Sequence, residues 1–320
     1  MLMRVTVAAT LHVAATVALR TGHRPLATRM WRRALALIGP TPSSPGTRFV
    51  AAHCLAGTCG AKIQAGRYPH AADVAGRGLS LIGEPRRRRD LIAASILHNH
   101  AGVAARLAGR HHQARQHYES ALSGYRNAGL GRSTSAAVVY HNLGGLAFAE
   151  GGLKDAERLT AHAARLNRWS PVRRAGDRGM LAAIIAAQGR LDEAESLLRD
   201  ALAVFRRRYG AQHREIAFGL GNLAEILRRQ GATEEAQRVA EHACAIGERA
   251  LGPAHPELAP ILNTLALLCS QAGDNAGARD LLERASNILQ DGVAATHPAR
   301  ETSFESLTTL EGRAAPPTRP

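Results

Sequence analysis

Seven times along this chain a glycine is followed, five residues later, by an alanine, and the motif recurs at steps of 44, 43, 42, 38, 42 and 42 residues. The glycines are Gly22, Gly66, Gly109, Gly151, Gly189, Gly231 and Gly273, and the alanines are Ala27, Ala71, Ala114, Ala156, Ala194, Ala236 and Ala278. Twelve residues before each alanine the side chain is again small: Ala15, Cys59, Gly102, Gly144, Ala182, Ala224 or Ala266. Seven residues after it stands Ala34, Gly78, Ala121, Ala163, Ala201, Ala243 or Ala285. A fixed period of this length marks a supersecondary unit that cannot bury its apolar surface alone and stacks on its own copies.

The pattern reads as a pair of antiparallel helices, A and B. Glycine adopts the left-handed conformation that ends helix A. Small residues at three positions let the helices approach closely, and large residues fill the space around them. The candidate fillers are Leu55, Tyr140, Leu220 and Leu262 in A, with Trp31, Tyr118, Leu198 and Leu282 in B. Four stretches carry no formal charge: Val5–Leu19, Leu91–Ala105, Ser133–Ala149 and Leu258–Gly273. All four fall in the phase of helix A, so the first reads as one more buried helix. It is too short for a membrane span and is not read as a leader.

The glycine, the three small positions and the alternation of large and small side chains resemble the tetratricopeptide repeat. The long step and the connector LGPAHPE at 251–257, echoed by YGAQHRE at 209–215 and ATHPA at 295–299, are similar to the repeats of kinesin light chains. The resemblance implies an all-α, right-handed superhelical solenoid of about seven helix-turn-helix repeats plus a C-terminal capping helix. Repeats are expected around 5–39, 48–82, 91–128, 133–168, 175–208, 214–250 and 257–290, together an array over 1–290. A connector and capping helix over 291–313 and a tail over 314–320 follow. Loops are expected at Pro40–Gly46 and Gly83–Pro85, with a shortened connector over Asn167–Asp177.

Composition excludes several alternatives. Four cysteines are too few for a disulfide framework and fit a reducing, cytoplasmic setting. Nucleotide-binding, zinc-protease and nucleophile-elbow motifs are absent, so neither catalysis nor a cofactor is expected. Six histidines lie within 98–141 but are expected on different helix faces, not around a metal. His213, His255 and His297 read as connector residues. The net charge of +15 resides wholly in residues 1–135, where 19 basic residues face four acids. That asymmetry raises an alternative, in which the basic half binds nucleic acid or an acidic partner. Aromatics at 4% and the lack of a DNA-reading module weigh against nucleic acid.

What remains is surface. The resemblance implies that the A helices line a concave groove and that slots five and six residues into each repeat face a peptide. Those slots hold Asn99, His141, Asn142, Asn222 and Asn263, with His12 and His100 in equivalent places; Arg106, Glu225 and Arg228 lie deeper on the same face. Asparagine both donates to and accepts from a peptide backbone. The competing expectation is that these asparagines satisfy helix termini or one another. The chain is therefore read as a non-enzymatic scaffold or regulator that binds a protein or peptide segment, with no membrane role. A regulatory protein related to transcription regulators, but lacking their DNA-binding or NTPase domain, is a second alternative.

Overall fold

A computed structural model of the 320-residue chain describes residues 2–20, 23–42, 44–290, 302–303 and 305–308. Gly22, the connector over 291–301 with His297, and the tail over 314–320 lie outside the described residues. Fourteen α-helices account for most of the described chain, and no strand occurs among the described residues. They are α1 (Leu2–Arg20), α2 (Arg24–Ile38), α3 (Pro45–Gln64), α4 (Tyr68–Ile82), α5 (Arg88–Leu107), α6 (His111–Asn127) and α7 (Thr134–Ala149). The series continues with α8 (Leu153–Leu166), α9 (Pro171–Ala187), α10 (Leu191–Tyr209), α11 (Arg214–Gln230), α12 (Thr233–Leu251), α13 (Ala259–Gln271) and α14 (Asn275–Leu289). Odd helices are A and even helices B, so the fold is an all-α solenoid of seven helix pairs. The chain packs as two compact units, Met1–Asn142 and Leu143–Pro320.

The small positions are the structural core. All seven anchor alanines, Ala27 to Ala278, are fully buried. The positions twelve before and seven after them are buried as well, in every repeat. Why the residues must be small is visible at two glycines of the first unit. A Cβ on Gly102 would lie 2.6 Å from the Tyr118 ring, and one on Gly78 would lie 2.8 Å from a Leu97 methyl. The bulky partner occupies the very space a side chain would need. Trp31, Tyr118, Leu198, Leu262 and Leu282 are buried as fillers, while Tyr140 is half-buried.

Helix ends follow from local chemistry. Gly66, Gly109, Gly151, Gly189, Gly231 and Gly273 all have positive φ at the A-to-B turn. A second set, which the repeat reading did not single out, closes B helices: Gly39, Gly83, Gly129, Gly210 and Gly252. Helix α3 starts earlier than the expected Pro40–Gly46 loop allows. Ser44 caps it, accepting from the Thr47 amide, while Thr47 Oγ1 accepts from the Ser44 amide, and Pro45 occupies the first turn. The connector after α8 is shorter than expected, because Pro171 already opens α9. Asp177 is then a buried helical residue, and its carboxylate accepts from Asn167 Nδ2 at 2.8 Å.

In the first unit, α1 packs its Ala8, Ala15 and Ala18 against Ala27, Trp31 and Cys54 of the next two helices. The expectation of a wholly buried helix over 5–19 holds on that face alone, since Val7, Val13 and Val17 are exposed on the other. In the second unit, Ala147, Ala156 and Ile184 join α7, α8 and α9. At its far end the described residues of 302–308 are helical. Ser303 there is buried, and Leu307 packs against Ala266, Ala278 and Leu282, capping the last pair.

Candidate functional site

The asparagine slots divide between the two units, and the structure treats them differently. In the first unit, Asn142 Nδ2 donates to Asn99 Oδ1 at 2.9 Å, so the two half-buried amides on successive A helices satisfy each other. Such amide pairing is what the competing expectation foresaw. His141 beside them is half-buried. Arg106, also half-buried, lies against the buried Tyr118 hydroxyl, and its Nε finds no hydrogen-bond partner among the described residues.

Histidines of the same unit are engaged internally. His12 Nδ1 accepts from the Trp31 indole N–H at 3.2 Å, and its ring meets His53 edge-on at 5.7 Å. His100 packs on α3 and is hydrogen-bonded to the Ala56 backbone. His98 and His117, on α5 and α6, bring their Nδ1 atoms within 3.1 Å, a pairing that helix-face arithmetic within one helix could not show. Burial disfavours the imidazolium and holds His12, His98 and His100 down to about 4; the neighbouring ring adds to this for His12 and His98. Among the described residues no group of three or more His, Cys, Asp or Glu side chains could hold a metal ion.

The second unit offers an open slot. Asn222 on α11 is exposed and makes no side-chain hydrogen bond among the described residues. Six residues on, Arg228 donates twice to Glu225, from Nε and Nη2, each at 2.9 Å, which supports the charged guanidinium and neutralises the pair locally. Asn263 is different. It is only 5% exposed, and Ser303 Oγ donates to its Oδ1 at 2.8 Å. The capping helix therefore covers this slot.

Other sequence features resolve into structural roles. His213 and His255 cap the turns they precede, each Nδ1 accepting an amide two residues on. All four cysteines are free thiols, and burial pushes Cys54 and Cys59 up to about 12. Cys59 donates to the Ala71 carbonyl at 3.1 Å, as a small core residue. Within the basic run, Arg88 Nε donates to the Ala128 carbonyl at the end of α6, at 3.0 Å. Arg89 pairs with Asp90 and lies over the Phe49 ring, and Arg86 pairs with Glu84. Three of the four arginines thus have intramolecular partners.

Comparison with known proteins places this geometry. No match was found among curated sequences. The sequence pattern described as Tetratricopeptide repeat matches residues 92–168, 177–249 and 219–291. Among solved structures, NprR in complex with its cognate peptide NprX is similar at a TM-score of 0.67, with 12% identity over 94% of this chain and 82% of that one. A tetratricopeptide repeat protein from Parabacteroides merdae is similar at 0.53, with 14% identity over 96% and 99%. Yeast Tom70 is similar at 0.53, with 17% identity over 91% of this chain and 60% of that one. At these identities the structural likeness speaks for the fold, and it agrees with the sequence match. With more than half of its length matched by the repeat pattern, the chain belongs to the tetratricopeptide repeat family.

Proposed function

We propose that this chain, a non-enzymatic protein-interaction scaffold by its family, holds an extended peptide segment on the A-helix face of its second unit, around Asn222. The observation that carries the reading is the contrast among the asparagine slots. Asn99 and Asn142 spend their amides on each other, Asn263 is covered by Ser303, and Asn222 stands open. An open amide can both accept from and donate to a peptide backbone, which suits binding that tolerates sequence variation. On the same helix Arg228 pairs with Glu225, and a ligand carboxylate can compete with Glu225 for the guanidinium. A peptide held by NprR, a protein of similar fold, supports the same use of the scaffold. Four free thiols support the cytoplasm as the setting.

Two single variants test this. Peptides selected from a random display library on the intact chain should bind Asn222→Ala with affinity lowered by about 1 kcal/mol, one net hydrogen bond. Its melting temperature should be unchanged, because the side chain is exposed and unpaired. Asn142→Ala should do the opposite, losing about 0.5–1.5 kcal/mol of stability as Asn99 is orphaned and leaving peptide affinity alone. Undiminished binding by Asn222→Ala removes the groove assignment. Loss of binding by Asn142→Ala without loss of stability would move the site to the first unit.

A further inference from the structure

The apolar stripe on the outer side of α1 has no counterpart among the other described helices. Met3, Val7, Val13 and Val17 are 78%, 44%, 61% and 55% exposed, and Thr10 between them is exposed too. Spacings of three and four residues place all five on one helical face. Between Arg4 and Arg20 that helix carries no formal charge.

The repeat itself shows what belongs on such a face. The first two anchors are 44 residues apart, so the stripe corresponds to Thr47, Ala51, Cys54, Gly57 and Ala61 of α3. Thr47, Ala51 and Cys54 are 5%, 1% and 0% exposed. Gly57 lies directly against the Trp31 ring of α2, and Ala61 packs on the cluster containing Trp31 and Ala34. In α5 the matching Ala94, Leu97 and Ala104 are buried as well. At α3 and at α5 the preceding pair of helices lies on this face, and among the described residues α1 contacts only the two helices that follow it. An exposed surface whose equivalents are covered by helices is shaped for a helix. Val13 stands where α3 has the glycine that admits a tryptophan, so the occupant presents a smaller side chain at that point.

Charge selects among helices. Nine arginines and lysines, and no carboxylate, precede Asp73. The exposed arginines of α2, Arg29, Arg32 and Arg33, belong to this set. A second copy docked through the same face would set like charge against like charge with no acid to offset it. We infer that the outer face of α1 docks an acidic amphipathic helix of a partner protein, its apolar stripe on Met3, Val7, Val13 and Val17 and its carboxylates drawn by the exposed arginines of α1 and α2, Arg4, Arg29, Arg32 and Arg33. This surface is separate from the groove around Asn222.

The probe is a synthetic amphipathic peptide with leucine at a and d positions and glutamate on both flanks, fluorescently labelled and titrated with the full chain. A twin with lysine in place of glutamate is the charge control. The glutamate peptide should bind, the lysine twin should not, and Val13→Glu with Val17→Glu should lower the affinity at least tenfold at unchanged melting temperature. If that double variant melts early, Val13→Thr with Val17→Thr makes the same comparison without added charge. Equal binding by the double variant, or by the lysine twin, overturns the proposal. It is also overturned by a concentration-dependent dimer, or by adsorption to phosphatidylserine vesicles, that the double variant abolishes; each would assign the face to that occupant. None of these results depends on Asn222.

Discussion

Single residues carry the fold because each anchor position has a fixed volume. Ala236 is fully buried between α11 and α12. Replacing it with leucine adds three carbons at a position that is fully buried, so Ala236→Leu should cost about 1–3 kcal/mol. Urea unfolding monitored by circular dichroism should show a lowered midpoint, and an unchanged midpoint would mean the close-packing assignment is wrong. These positions were legible because a small residue recurring in phase has one physical reason, the approach of two helices. The asparagine slots were legible only as slots. Whether Asn99 spends its amide on Asn142 depends on how two A helices, 43 residues apart, are set against each other, and the period alone does not show that. Ser303 on Asn263 hid for the same reason.

At the scale of helices, polar side chains tie neighbouring helices together, both within a repeat and between repeats. Arg88 reaches the end of α6, Arg229 on α11 donates to the Ala186 carbonyl of α9, and Arg214 pairs with Glu257 at 2.8 Å. The His98–His117 pair joins α5 to α6 in the first unit and makes that junction sensitive to acid. Burial lowers both imidazoles, His98 to about 4, so above pH 6.5 they are neutral in folded and unfolded chains alike. As the pH falls from 6.5 toward 4 the unfolded chain takes up protons first, and stability is lost over that window. His12 and His100 add to the same trend. Melting temperature should fall steadily from pH 7 to pH 4, and His98→Gln with His117→Gln should flatten the slope. A double variant with the parent's slope would show that the pair does not couple to folding. Six histidines within 98–141 were evident in the sequence, but their pairing crosses two helices and required the packing to be seen.

Across the whole molecule the two units differ in charge. Residues 1–142 hold the entire +15, while the remainder balances 22 basic against 22 acidic residues. That imbalance was plain in the sequence, though which arginines are already engaged was not. In the second unit the opposite charges meet: Arg190 pairs with Glu157 and Glu193, Arg199 with Glu195 and Glu235, and Arg284 with Glu248. Exposed pairs of this kind contribute little each and are weakened by salt. The first unit has the opposite problem, since unbalanced like charges oppose compaction. At about 0.1 M salt charges more than about 10 Å apart are largely screened, so salt relieves that repulsion. Raising sodium chloride from about 20 mM to about 0.5 M should therefore increase amide hydrogen-exchange protection in α2 to α6. Protection in α10 to α14 should stay level or decline slightly as its ion pairs are screened. Native-state exchange read helix by helix separates the two responses. A uniform response in both units would mean that the charge asymmetry, for all its size, does not act on the stability of the first unit.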